Sequence, residues 1–315
     1  MTDPATIYPT LIERVGDTHL RQRLTIQVEH AGELLGSGRT LLNIENAEWM
    51  MILLYHALRV TRLYGWGHRN FLDIRCVENE VILPGLPAAF DGFTLLQLSD
   101  LHLDIDPALT DAIIQRLTGV QYDLCVITGD FRASSSGSYK AALEYSAKLA
   151  GHLRPPTYAI LGNHDFIEFV PPLEEAGLTF LLNETVPITR GDATIYLSGV
   201  DDPHFYETDN LQQARANIPT GAVSVLLSHS PELYRQASAA GYDFMLSGHT
   251  HAGQICFPGR IPVMGGNARC PKAMVYGAWR YGSMQGYTSS GTGSCGVPVR
   301  FFCPPEFTRH RLRAV

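Results

Sequence analysis

The chain has 315 residues, 45% of them apolar, which is enough for a sizeable core in one large domain or two smaller ones. A net charge of −7 argues against a general nucleic-acid surface, which would be basic. No apolar run reaches the length of about 18 residues that a membrane-spanning helix needs. The first ten residues are polar, with two prolines, and do not resemble a signal peptide. A reduced, cytoplasmic compartment is therefore expected, with the six cysteines, none in a C-x-x-C pair, serving as packing residues.

Residues 1–88 predict a helical N-terminal extension. One helical pattern runs from Ile7 to Leu35 and stops at Gly36 and Gly38; a second runs from Asn46 to Tyr64 and stops at Gly65. Pro84 to Pro87 marks a linker. Within the second pattern, Trp49 to Leu58 is almost wholly apolar, and Arg59, Arg62, His68 and Arg69 follow it. Two fates fit such a segment. It packs on the core, or residues 49–69 lie on a membrane surface with the cations near anionic head groups.

From residue 89 to 315 a catalytic domain is expected. Apolar strand runs at Phe93–Leu98, Leu124–Thr128, Thr157–Leu161, Val223–Leu227 and Phe244–Leu246 alternate with helices. Asp106-Pro107 and Ser230-Pro231 are cap-proline starts, and Ser138 to Leu149 is a further helix. Leu178 to Val200 reads as a hairpin turning at Gly191-Asp192. Residues 257–296 read mostly as loop with short strands, and Val297–Phe302 and Phe307–Leu312 are expected to return to the sheet. The fold class is α/β, a layered sandwich of two mixed β-sheets flanked by helices.

Each of the five runs ends in residues that bind metals. These are Asp100-Leu101-His102, Gly129-Asp130, Gly162-Asn163-His164-Asp165, His229 and Gly248-His249-Thr250-His251. Ligands in open α/β sheets bind at the carboxyl ends of strands, so the groups should converge. Carboxylates, imidazoles and one amide suit hard or borderline divalent cations. His249 and His251 would need a bend to face one centre together, and Gly248 and Gly253 allow it.

The order D-x-H, G-D, G-N-H-D, H and G-H-x-H resembles the calcineurin-like metallophosphoesterase superfamily, over residues 92–312. Gly199 to Pro203, His229 to Glu232, Ser289 to Gly293 and Pro305-Glu306 are similar to a bacterial phosphodiesterase branch related to UDP-diacylglucosamine pyrophosphatases. Ala252 stands where that branch usually has glycine. The resemblance implies two metal sites. Asp100, His102, Asp130 and His251 would hold the first; Asp130, Asn163, His229 and His249 would hold the second. A shared carboxylate offsets the repulsion of cations about 3.5–4 Å apart. Manganese is expected first, with Fe, Zn, Mg, Ni and Co also compatible. Water activated between the cations would attack a phosphodiester or pyrophosphate, with His164 as proton donor and Asp165 orienting its ring.

Arg132 and His204 are the substrate-binding candidates, Arg132 through a bidentate grip on phosphate. Asp201 and Asp202 read as turn or capping residues. Asn267, Arg269 and Lys272 lie in the long loop. The expected partner is a small phosphoester or pyrophosphate, in the finer alternative a lipid-linked one at the inner membrane, as for UDP-2,3-diacylglucosamine pyrophosphatase in lipid A synthesis. A protein-binding scaffold without turnover is the rival of another class; such scaffolds usually lack ligands, and here all seven are present.

Overall fold

The structure, a computed structural model, describes residues 4–36, 48–135, 137–263 and 268–315. Among these residues, two six-stranded sheets pack face to face, and a short antiparallel pair, β10 (Cys256–Phe257) with β11 (Ile261–Pro262), forms a third. The first sheet has the order β1 (Arg75–Ile82), β14 (Glu306–Arg313), β2 (Thr94–Leu98), β3 (Leu124–Thr128), β4 (Thr157–Ile160), β5 (Thr179–Phe180). The second has the order β12 (Gly277–Tyr281), β13 (Met284–Thr288), β9 (Phe244–Ser247), β8 (Ser224–Leu227), β7 (Ala193–Gly199), β6 (Glu184–Arg190). β2 to β5 run parallel, as do β7, β8 and β9, so their carboxyl ends share one edge of each sheet.

Strand alternation builds the layers. Leu95, Leu124, Val126, Ile160, Val225, Leu227, Phe244 and Leu246 point between the sheets. Their neighbours Leu96, Leu98, Cys125, Ile127 and Ala159 face the opposite side, towards α5 (Leu109–Leu117), α6 (Lys140–Ala150) and α7 (Val170–Glu175). Leu226 and Met245 face α8 (Leu211–Arg215) and α9 (Tyr234–Ala239). Helix, sheet, sheet, helix is the predicted sandwich. Full burial of one such side chain stabilises by roughly 1.5–3 kcal/mol. A polar rivet crosses this apolar layer: Gln97 Nε2 donates to Thr128 Oγ1 and to Ser247 O of the second sheet, both at 3.0 Å, and its Oε1 accepts from His310 Nε2 at 3.0 Å.

Four expectations are corrected. The pattern from Ile7 forms two helices, α1 (Pro4–Val15) and α2 (Asp17–Gly36), because Gly16 takes φ +84° between them. The second pattern forms α3 (Glu48–Val60), which ends before Tyr64, and a further helix, α4 (Tyr64–Leu72), runs through the expected stop at Gly65, with Arg62 at φ +60° between them. Residues 75–82, inside the stretch expected to be helical, form β1, which pairs in parallel with β14 and sends Val81 between the sheets. Finally, 297–302 does not join either sheet. Its apolar residues Val297, Val299 and Phe301 are covered by Met51, Leu54, Tyr55 and Leu58 of α3, so helix packing takes the place of a ladder. One bridge, Ile255 to Phe301, marks the segment.

Candidate metal centre

β2, β3, β4, β8 and β9 end on one edge, and the loops leaving them bring all seven expected ligand side chains together. Asp100, His102 and His229 are fully buried, as is Asp165, and Asp130 is 2% exposed. His102, His251 and Asp100 place one donor atom each within 4.8 Å of one another, and so do Asp100, Asp130 and His229. Asp130 Oδ2 lies between two imidazoles, 3.3 Å from His229 Nε2 and 3.6 Å from His102 Nε2. Asn163 Oδ1 is 2.9 Å from both His229 Nε2 and His249 Nδ1. His251 Nε2 is 3.1 Å from His102 Nε2 and 3.6 Å from Asp100 Oδ1.

The backbone is strained where the ligands sit. Asp100 (φ +50°), His102 (+43°), Asp130 (+59°), His249 (+69°) and His251 (+49°) occupy the left-handed region, as does Ala252 (+50°) at the position where glycine is usual. Such conformations cost on the order of 1–3 kcal/mol each and persist only when the surroundings hold them. The holding bonds are present. His249 N–H donates to Asp100 Oδ1 at 2.8 Å and His164 N–H to Asp130 Oδ1 at 2.9 Å. Space is equally tight: a Cβ on Gly248 would collide with Ser99 Oγ and Asp100 Oδ2, and one on Gly162 with Asp130 Oδ1.

Two imidazoles are aimed by backbone carbonyls. His102 Nδ1 donates to Arg132 O at 2.6 Å and His229 Nδ1 to Thr128 O at 2.8 Å, which turns both Nε2 lone pairs inward. Burial pushes His102, His249 and His251 below the usual histidine range, which favours the neutral, ligating form. Burial opposes the charge on Asp130, yet His229 and His164 hold its carboxyl well below the usual range. Burial likewise opposes protonation of His229, but Asp130 raises it well above the ordinary value, so ligation through Nε2 would displace a proton from that atom.

The calcineurin-like phosphoesterase family profile matches residues 93–253, the segment that carries these loops. The chain belongs to that family. Its relatives include the Bacillus subtilis uncharacterized metallophosphoesterase YkoQ, 29% identical over 260 residues, covering 78% of this chain and 93% of the relative. An Aquifex aeolicus metallophosphoesterase is 29% identical over 78% of this chain and 94% of its own length. A Danio rerio transmembrane protein with a metallophosphoesterase domain is 28% identical over 76% of this chain and 57% of its own. Family membership makes the reaction class phosphoric ester hydrolysis with divalent metals.

The residues present fit such metals. His249 Nε2 and His164 Nδ1 are buried without a hydrogen-bond partner, and the inward nitrogens of His102 and His251 face each other, where only a proton or a cation can satisfy both. His164 stands beside the cluster, its ring 5.2 Å from that of His102.

Asp165 requires a correction. It does not orient the His164 ring. Its oxygens accept backbone N–H bonds from Asp130 (2.8 Å), Phe131 (2.8 Å), Gly162 (2.9 Å) and Arg132 (3.4 Å), so it ties the β3 loop to the β4 loop. Burial and the Asp130 charge push its carboxyl up to about 7, against the pull of these donors. Arg132 is buried, its guanidinium 4.2 Å over the Phe166 ring, and it serves the cluster through its carbonyl. The His204 ring lies tilted against the His249 ring, with centroids 4.2 Å apart, and its Nδ1 is 3.0 Å from Glu232 Oε1. Asp202 caps its own loop, accepting from Phe205 N at 2.7 Å and Tyr206 N at 2.9 Å. Arg269 and Lys272 are exposed, and Asn267 lies outside the described residues.

Sequence reasoning missed several supports. Ser99 Oγ donates to Asp100 Oδ2 at 2.6 Å, and buried Arg300 donates to His251 O at 3.0 Å and His251 Nδ1 at 3.2 Å. Ser99 adjoins a ligand and could have been found by position. Arg300 lies 49 residues from its partner, with no local signal.

Proposed function

We propose that this protein hydrolyses a phosphodiester or pyrophosphate bond with two divalent cations. The observation that carries the reading is the convergence of seven buried ligand-type side chains on one sheet edge, with inward lone pairs and orphaned nitrogens. Asp100, His102, Asp130 and His251 would hold one cation; Asp130, Asn163, His229 and His249 would hold the other. When bound, such cations acidify water and neutralise charge on phosphoryl oxygens. Manganese is the first candidate.

The chain's own residues do the remainder. Asp130 offsets cationic repulsion from between His102 and His229. Asn163 contributes a neutral oxygen and so limits negative charge against an anionic substrate. His164, outside both ligand sets, donates the proton that the leaving oxygen needs. His204 flanks the His249 side of the pocket and meets the substrate there. The test is turnover of a chromogenic phosphodiester with added Mn²⁺, alongside metal analysis. Metal-dependent turnover is expected; a fully metal-loaded protein that turns over neither a diester nor a pyrophosphate would leave the scaffold alternative standing.

A lipid-linked pyrophosphate at the cytoplasmic face of a membrane is the finer reading, as for a UDP-2,3-diacylglucosamine pyrophosphatase. α3 favours it. Met51, Leu54, Tyr55 and Leu58 pack inward, while Ile52, Leu53 and Val60 are exposed beside Arg59 and Arg62. Among the described residues no helix is long and apolar enough to cross a bilayer. An apolar face with a cationic margin suits the head-group boundary.

A further inference from the structure

Two loops frame the site from opposite sheets. The loop after β4 carries His164, and the loop after β7 carries Asp201, Asp202 and His204. One side chain from outside the family-matched segment ties them. Arg23 of α2 is fully buried. Its Nη1 donates to Asp201 Oδ1, its Nη2 donates to Asp165 O at 2.8 Å, and its guanidinium stacks 3.9 Å over the Tyr206 ring. Asp201 Oδ2 accepts from Thr208 Oγ1 at 2.8 Å and meets His19 Nε2 of the same helix at 2.8 Å. Burial opposes the Asp201 charge, but Arg23, followed by His19, holds the carboxyl down at about 2.

The helices grip the residues after His164 at further points. Gln27, one turn beyond Arg23, accepts from Ile167 N at 3.1 Å and donates to Glu168 Oε2 at 3.1 Å. Tyr8 of α1 donates to Glu168 Oε1 at 3.0 Å. Inward of that grip, the Asp165 carboxylate binds the backbone of Gly162, Asp130 and Phe131, and Asp202 accepts from His204 N at 3.3 Å. The two acceptors of Arg23 are thus one residue from His164 and one residue from the aspartate that caps the His204 turn.

We propose that Arg23 is a positioning residue for hydrolysis: it clamps the β4 and β7 loops at the spacing that aims His164 at the leaving group. The inference rests on the proton-donor reading of His164. Stability alone does not require this side chain, because well-packed apolar groups often replace a buried ion pair without loss. A rigid fork, by contrast, spans two acceptors on separate loops, which the point charge of lysine does not.

The test uses the full chain with Arg23→Lys, His164→Ala and the double variant, assayed on an alkyl and a nitrophenyl phosphodiester, with metal content and Tm measured in parallel. Arg23→Lys should lower kcat for the alkyl substrate on the order of tenfold, as loss of an outer-shell support does, with metal content kept and a smaller effect on nitrophenolate release. In the His164→Ala background it should add little. If Arg23→Lys does not fold, Gln27→Met loosens the same loop from the same helix and should give the same leaving-group signature. Equal losses for both substrates, full additivity with His164→Ala, or an unaffected kcat would overturn the clamp and leave Arg23 a stability residue. A His164→Ala variant without loss on the alkyl substrate would overturn the proton-donor reading, and the clamp with it.

Discussion

The strand-end loops bury carboxylates and imidazoles, whereas α3 holds large apolar side chains in solvent. Asp100 and His229 are 0% exposed; Ile52 and Leu53 are 58% and 60% exposed. Each region reverses the ordinary partition of polar and apolar groups, and each reversal costs free energy in the isolated chain. The loops meet part of that cost with backbone hydrogen bonds, and divalent cations would meet the rest. α3 meets only half of it, through the face on Val297, Val299 and Phe301. The first departure is what a divalent-metal site of this family requires, and the second is what the proposal of a lipid-linked substrate rests on.

The largest expected effect breaks the loop half of the comparison. Asp130→Ala removes the carboxylate between His102 and His229 and the acceptor for His164 N–H. Both metal sites should empty together and turnover should fall to background, whereas His251→Ala should mainly weaken one site. Elemental analysis of the loaded proteins checks this; a single ion in the loaded wild type would sink the dinuclear centre.

The next effect separates ligation from proton transfer. His164→Ala should retain metal and lose turnover by roughly 10²–10⁴-fold for a poor leaving group. The loss should be smaller for nitrophenolate, which leaves with little protonation. Equal losses would assign His164 to phosphoryl binding instead.

The two regions were not equally legible in the sequence. Five apolar runs ending in Asp, Asn and His were readable because buried parallel strands are short continuous runs and ligands follow at their carboxyl ends. The partner of Asp165 was not, because backbone N–H groups leave no mark on residue type. Arg23 was hidden for a related reason: a helical pattern shows which face is apolar, not which single cation on it a distant aspartate will bury. The division at Gly16 was readable in principle, but the flanking periodicity continued across it. The apolar run at 297–302 resembled a strand because composition does not reveal whether helix or sheet covers it.

A buried base distant from the cluster offers a third measurement. His310 sits between the sheets, Nδ1 accepting from Asn79 at 3.0 Å and Nε2 donating to Gln97. Burial lowers its pKa from 6.5 to about 3. The folded state therefore binds fewer protons than the unfolded state between these values, and stability falls as pH drops from 6.5 towards 3. The loss attributable to this group is of order a few kcal/mol. His310→Gln should flatten the stability profile in that window; an unchanged slope in denaturant titrations would place the acid sensitivity elsewhere.

The smallest effect tests the other half of the comparison, and it needs two faces of one helix. Leu53 is exposed and Leu58 is 8% exposed against Val299 and Phe301. Leu53→Glu should change Tm little, since exposed substitutions usually stay within about 0.5 kcal/mol. It should nevertheless weaken flotation with anionic vesicles, because a charge replaces apolar area at the head-group boundary. Added salt should weaken binding too, since it would screen the attraction of Arg59 and Arg62 to anionic lipid. Leu58→Glu should do the opposite, lowering Tm sharply by placing a charge in the α3 contact. The side chain of Trp49, which the sequence also marks for this role, lies outside the described residues. If wild type does not float, and Leu53→Glu melts as early as Leu58→Glu, then both faces of α3 are core. The apolar surface would then cease to argue for a lipid-linked substrate, while the metal centre would stand unaffected.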